Sequence, residues 1–202
     1  MRVTEATKER TRRRILRTAA RLFRRRGYEG ATTRQVARSA GVGAGTLFNY
    51  YPSKEALALA LVARGLTRGR RRFREERRPG ASLAEDLFVL ALTALRELEP
   101  WRGLVAGTAA TALGPAARGA GEAEGERRRH LEEVGAILAA RGVADASEAA
   151  ALHLWWALFL GVLAFWSEDP SPAQEDTLAL LDRATRMFAA GLEGGGEEAD
   201  RA

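Results

Sequence analysis

Residues 32–57 read TTRQVARSAGVGAGTLFNYYPSKEAL, and the fold turns on this stretch. Thr32 or Thr33 caps a first short helix, since a hydroxyl oxygen accepts the free N–H groups of an opening turn. Val36, Ala37 and Ala40 recur at helical spacing as one apolar face, and Gly41 ends the helix. Val42 enters the core. A second short helix runs from Gly43 to Tyr51, with Leu47 and Tyr51 inward, and Pro52 stops it. Two short helices joined by a tight glycine-containing turn form a helix-turn-helix. Such a unit cannot bury its own apolar faces, so a third helix must close the core. The preceding segment supplies it: between Thr7 and Arg26, Ile15, Ala19, Leu22 and Phe23 share one face. Arg12, Arg13, Arg17, Arg21 and Arg24 occupy the others, before Gly27 ends the helix.

The second helix of the pair leaves Ala44, Gly45, Thr46, Phe48, Asn49 and Tyr50 outward. An α-helix fits the major groove of DNA, and small residues at its start let the backbone approach closely. Thr46 and Tyr50, four apart, reach phosphates or base edges together. Charge supports a polyanionic partner: residues 1–78 carry 22 Lys and Arg against 6 Asp and Glu, a net +16, whereas residues 79–202 carry 10 against 20, a net −10. Lys8 and Lys54 are the two lysines and Asn49 the one asparagine of an Arg-rich chain. Lys54 and Asn49 both fall in this segment. A lysine in the first turn of a helix opposes the helix dipole, so Lys54 gains nothing locally and points to a phosphate contact.

The run Thr32 to Leu57, with Leu22, Phe23, Gly27 and Tyr28 upstream, resembles the DNA-binding signature of TetR-family regulators. The likeness covers about the first 60 residues and rests on spacing, glycine positions and the closing Pro-Ser-Lys-Glu together. It implies an all-α homodimer whose larger C-terminal domain binds an effector. It also implies DNA contacts from Thr33 and Arg34, from Ala44, Gly45, Thr46, Phe48, Asn49 and Tyr50, and from Lys54 to phosphate. Gly43, Ala44 and Phe48 depart from the family, which often has Ser, a longer polar residue and Tyr there. Fewer polar contacts remain, so specificity leans on Arg34, Gln35, Asn49 and DNA shape.

The remainder also reads as helix, with no alternating β-branched run. Ser53 caps a long helix that has Glu55 in its first turn, and Ser82 with Glu85, Asp145 with Glu148 and Ser171 with Gln174 form capping-box patterns. Breaks at Pro79-Gly80, Pro100, Gly114-Pro115, Gly142 and Pro170 bring the expected total to about nine helices. The expected organisation is a DNA-binding domain over 1–52, an effector-binding and dimerisation domain over 53–192, and a disordered tail over 193–202, where Gly194, Gly195 and Gly196 weaken helix.

Residues 149–166, AAALHLWWALFLGVLAFW, are apolar except for His153. A membrane span meets this length, but Glu148, Glu168 and Asp169 flank the run and no basic cluster does. A helix apolar all round fits burial between its own core and a second copy. With the final helix it suggests a dimer interface at Trp156, Leu163, Trp166, Leu181 and Phe188. Phe88, Trp101, Thr108, Trp155 and Phe159 are candidates for an apolar ligand pocket, with Arg96, Arg102, Thr111 or His130 adding polar contacts. His130, after Arg127, Arg128 and Arg129, is expected in solvent. The effector suggested is an acyl-CoA, a fatty acid or an aromatic compound.

Other classes draw little support. The chain has no Cys and two His, which excludes disulfides and thiolate sites and gives no metal-binding pattern. No cofactor is expected, and no nucleophile–base pair or Gly-rich phosphate loop suggests an enzyme. The segment through Arg14 is too charged for a signal peptide, which predicts a cytoplasmic protein. An activator, a ligand-independent DNA-binding protein or a membrane-associated adaptor are the alternatives to a ligand-released repressor.

Overall fold

The structure, a computed structural model, describes residues 4–105, 122–142 and 146–199. All regular structure among them is helical. Helix α1 (Glu5–Arg26) is capped by the Thr4 hydroxyl and ends at Gly27, whose φ of 71° favours a residue without a side chain. Helices α2 (Thr33–Ser39) and α3 (Ala44–Tyr50) follow as two seven-residue elements. Gly41, at φ 64°, makes the turn between them. Ile15, Ala19, Phe23, Val36, Ala37, Leu47 and Tyr51 are buried together, so the three-helix unit closes as its apolar spacing requires. Its core runs without a break into that of the C-terminal helices through Leu57, Ala58 and Leu61 of α4.

Helix α4 (Lys54–Glu76) and α5 (Leu83–Leu98) form the central hairpin. They approach so closely that a Cβ on Gly69 would stand 2.7 Å from Ala94 Cα, and one on Gly65 would stand 2.7 Å from Leu98 Cδ2. The buried Asp86 carboxylate ties the hairpin together, accepting from Arg77 at 3.1 Å and from Arg141 at 2.5 Å. Arg141 also donates to Ala81 O at 2.8 Å and so joins the end of α6 (Glu122–Ala139) to the α4–α5 turn.

Helices α7 (Ala146–Glu168) and α8 (Glu175–Ala199) complete the bundle, separated by a short 3-10 turn at Pro172–Gln174. The expected reciprocal cap of Ser171 and Gln174 is replaced by another arrangement. Gln174 accepts from Trp166 Nε1 at 2.7 Å and donates to Glu99 at 2.8 Å, while Asp169 accepts the backbone N–H groups of Ser171 and Thr177. The Ser171 and Thr177 side chains first, and then those backbone bonds, hold the Asp169 carboxyl well below the usual range against the cost of burial. The Ser82–Glu85 capping box forms as expected. Asp145 and the Glu148 side chain lie outside the described residues. Helix α8 continues through Gly194, Gly195 and Gly196 to Ala199, in place of the disordered tail expected from Glu193. Once Leu181 and Thr185 anchor the helix, further turns need only propagation, which costs far less than nucleation.

The face of α7 that turns inward differs from expectation. Trp156, Leu163 and Trp166, with Leu181 of α8, are buried in the chain's own core, and Phe188 packs edge-on against Trp155 at 5.6 Å. In the single chain none of the first four is available to a second copy. An all-round apolar run gives no periodic signal for its inner face, and the packing of α7 on α8 and α6 decides it. The outward apolar residues are Leu154 (61% exposed) and Phe165 on α7, and Leu180 and Met187 (66% exposed) on α8. By length and composition α7 could cross a membrane, and 39% of its apolar window is buried within the fold.

Candidate nucleic-acid interface and the domain behind it

Helix α3 is mounted by two buried side chains, Leu47 and Tyr51, spaced four apart. The opposite surface is therefore free: Ala44, Gly45, Thr46 and Asn49 are exposed, Phe48 is 44% exposed, and Tyr50 is half-buried. The structure brings these six onto one presented helix, with Thr33 and Arg34 at the start of the neighbouring α2. Gln35 differs from the others. Its side-chain oxygen accepts the Thr32 N–H at 3.1 Å while the Thr32 hydroxyl accepts the Gln35 N–H at 3.2 Å. The capping box commits that oxygen to building α2, a use that normally stabilises a helix by about 1 kcal/mol.

Lys54 opens α4 beside the same surface, held in a way its position in the sequence does not reveal. Its ammonium lies 4.1 Å from the Tyr28 ring centroid and 3.6 Å from Glu29. The Tyr28 hydroxyl donates to Glu55 at 3.2 Å. Burial, and then the Glu55 charge, push the Tyr28 hydroxyl up to about 12, so it remains a donor at any physiological pH. The Glu55 carboxyl is held below its usual range, first by its own backbone N–H and then by the Ser53 hydroxyl. Tyr28 thus fastens the end of α1 to the start of α4 and aims the lysine. The signal for this was the pairing of Tyr28 with the Ser-Lys-Glu turn, which only the packing of α1 on α4 makes readable.

The candidate ligand residues do not gather in one place. Phe88 lines an open groove with Arg77, Arg78, Asp182 and Arg186. Trp101 is buried beyond the end of α5, with the Arg24 guanidinium 5.6 Å from its ring centroid. Ten residues, about 15 Å of helix, separate Phe88 from Leu98. Trp155 and Phe159 lie together around His130, and Thr108 and Thr111 lie outside the described residues. Arg102 donates to Trp166 O at 2.9 Å and Arg96 faces Glu76 at 3.4 Å.

His130 is buried, not solvated. Its ring stacks on Phe159 at 4.4 Å and its Nε2 accepts the Trp155 indole N–H at 3.0 Å. Burial, helped by the nearby Arg70 charge, lowers its pKa from 6.5 to about 3, so the ring is neutral and Nε2 keeps the lone pair that Trp155 requires. The spacing Glu126, His130, Val134, Ile137 places His130 on the inward face of α6, a periodicity that the adjacent arginine run obscures.

Residues 15–61 match the family model described as bacterial regulatory proteins, tetR family. The HTH-type transcriptional regulator UidR of Escherichia coli is 38% identical over 72 residues, which are 36% of this chain and 36% of that protein. The match therefore spans about a third of the length of that relative. Among solved structures, FadR of Thermus thermophilus, a TetR-family transcriptional repressor in complex with lauroyl-CoA, superimposes with a TM-score of 0.69 at 25% identity, covering 88% of this chain and 92% of that one. FadR of Bacillus subtilis in complex with stearoyl-CoA superimposes at 0.60 and 16% identity over 89% and 98% of the two chains, a likeness of fold.

Proposed function

We propose that the chain is a TetR-family transcriptional repressor, a homodimer that binds a palindromic operator and releases it when a small, largely apolar ligand binds. The exposed surface of α3, with Ala44, Gly45, Thr46 and Asn49 free above buried Leu47 and Tyr51, is the observation that carries this reading. Small residues at the start of α3 allow close approach to the major groove, and Thr46, Asn49 and Tyr50 then reach base edges or phosphates. Thr33, Arg34 and Lys54 hold the flanking backbone, Lys54 exchanging Glu29 for a phosphate oxygen.

The second copy docks on the outer faces of α7 and α8. Leu154, Phe165, Leu180 and Met187 are large apolar side chains left in water by the single chain, and a soluble protein covers such a patch. The protein works in the cytoplasm, with its operators. An acyl-CoA is the effector class favoured, because the FadR structures of like fold hold lauroyl-CoA and stearoyl-CoA.

Selection from a random duplex library tests the reading. The expected product is two inverted half-sites with centres about 34–36 Å, or one helical turn, or a multiple of that apart. Asn49→Ala should relax base preference at one position of each half-site, and Lys54→Ala should weaken all sequences alike and lower the salt slope. Long-chain acyl-CoA should then dissociate the complex. Salt-sensitive coating of any duplex, with no enriched sequence, would refute operator recognition.

A further inference from the structure

Where α1 crosses α4 and the start of α6, two crevices adjoin. One, of about 350 Å³, is lined by Arg12, Arg13, Arg64, Thr67, Glu126 and Arg129. The other, of about 540 Å³, is lined by Glu9, Arg10, Arg13, Arg17 and Arg64. They share Glu9, Arg13 and Arg64 and so make one groove, with six guanidinium groups against two carboxylates.

Both carboxylates are already engaged. Glu9 pairs with Arg13 at 2.6 Å. Glu126 accepts from Arg70 at 2.7 Å, from the Thr67 hydroxyl at 3.1 Å and from Arg129. Arg17 and Arg64 have no hydrogen bond or ion pair among the described residues. Beneath the groove, Arg70 is buried and bonded to the two floor residues Thr67 and Glu126, yet its Nη1 has no partner. Converging like charges repel one another, and an anion in the groove relieves that repulsion.

We propose that this groove binds a phosphate-bearing small molecule. Guanidinium forks match phosphate oxygens two at a time, and several forks around one groove suit a diphosphate better than a single carboxylate. The DNA backbone is the weaker candidate. Arg64 stands ten residues along α4 from Lys54, about 15 Å back from the end that borders α3. A ligand here touches α1 of the DNA-binding unit and α4 and α6 behind it at once. The inference goes beyond the repressor reading and does not depend on it.

Isothermal titration of the full chain with pyrophosphate, and separately with coenzyme A free of any acyl group, tests the site. Saturable binding of at least one is expected, weakened at least tenfold by Arg64→Ala and by Arg17→Ala and less by Arg64→Lys. Both side chains are exposed, so the variants should keep the wild-type melting temperature. Arg71→Ala, on the solvent side of α4 and paired with Glu75, should bind as wild type. Binding of pyrophosphate identifies phosphate itself as sufficient, and binding of coenzyme A alone identifies a nucleotide-linked diphosphate. Absence of binding by both at millimolar concentration, retention of binding in Arg64→Ala, or equal loss in Arg71→Ala overturns the proposal. So does a loss of duplex affinity in Arg64→Ala when neither probe binds, since the groove would then serve the DNA backbone.

Discussion

Gly69→Ala separates helix propensity from tertiary packing because the two give opposite signs. In an exposed helix interior the change stabilises by about 0.8–1 kcal/mol, by reducing the freedom of the unfolded chain. At Gly69 the new Cβ would stand 2.7 Å from Ala94 Cα, 3.0 Å from Ala94 N and 3.1 Å from Thr93 O. These are backbone atoms, so no rotamer change relieves the contact. Carbon atoms pack at roughly 3.5–4.0 Å, so α4 and α5 must part by about 1 Å, which forfeits a quarter to a half of each dispersion contact along the seam. Overpacking of this kind costs about 1–3 kcal/mol, and a rigid obstacle lies at the upper end. The net expectation is a loss of about 2 kcal/mol, or roughly 4–8 °C in Tm for a chain of this size. Urea unfolding at fixed protein concentration reads it as a lower midpoint with an unchanged slope. Gly65→Ala should cost less, since its nearest obstacle is the end of the Leu98 side chain. If Gly69→Ala unfolds at the wild-type midpoint or above it, the close α4–α5 approach is wrong.

His130 should make stability pH-dependent. Its folded pKa near 3 lies below the unfolded 6.5, so the unfolded chain binds the extra proton. The stabilisation is complete above pH 6.5 and is lost as pH falls toward 3, at about 1.4 kcal/mol per unit. Between pH 6.5 and 5 that is about 2 kcal/mol, and His130→Phe should flatten the slope in denaturant titrations. Asp86→Ala should destabilise by about 3 kcal/mol because it leaves Arg141 facing a buried gap, with a cooperative but earlier melt. Leu154→Glu and Met187→Glu should yield folded monomers by sedimentation. Trp166→Ala, being in the core, should instead lower Tm by an amount matching about 3–5 kcal/mol. Stable monomers from Trp166→Ala would reverse the inner and outer assignment of α7.

Local rules decided much of this protein from its sequence. The caps at Thr32, Ser53 and Ser82, the glycine at position 41 and the 3.6-residue spacing of Ile15, Ala19 and Phe23 each act within a turn or two. They therefore define the three-helix unit and the exposed residues of α3 without reference to the rest of the chain. Where the apolar signal loses its period, that legibility ends. The run 149–166 is apolar on every side, so its sequence does not say that Trp155, Trp156 and Trp166 point inward and Leu154 and Phe165 outward. His130 shows the same limit in reverse, since three arginines before it suggest solvent while the packing of α6 on α7 places its ring among Trp155, Trp156 and Phe159. Lys54 over Tyr28, Arg24 over Trp101 and the arginine groove where α1 meets α4 and α6 join residues from distant parts of the chain. Side chains so distant in the chain meet only after the helices pack, and the burial that holds them there belongs to the whole core.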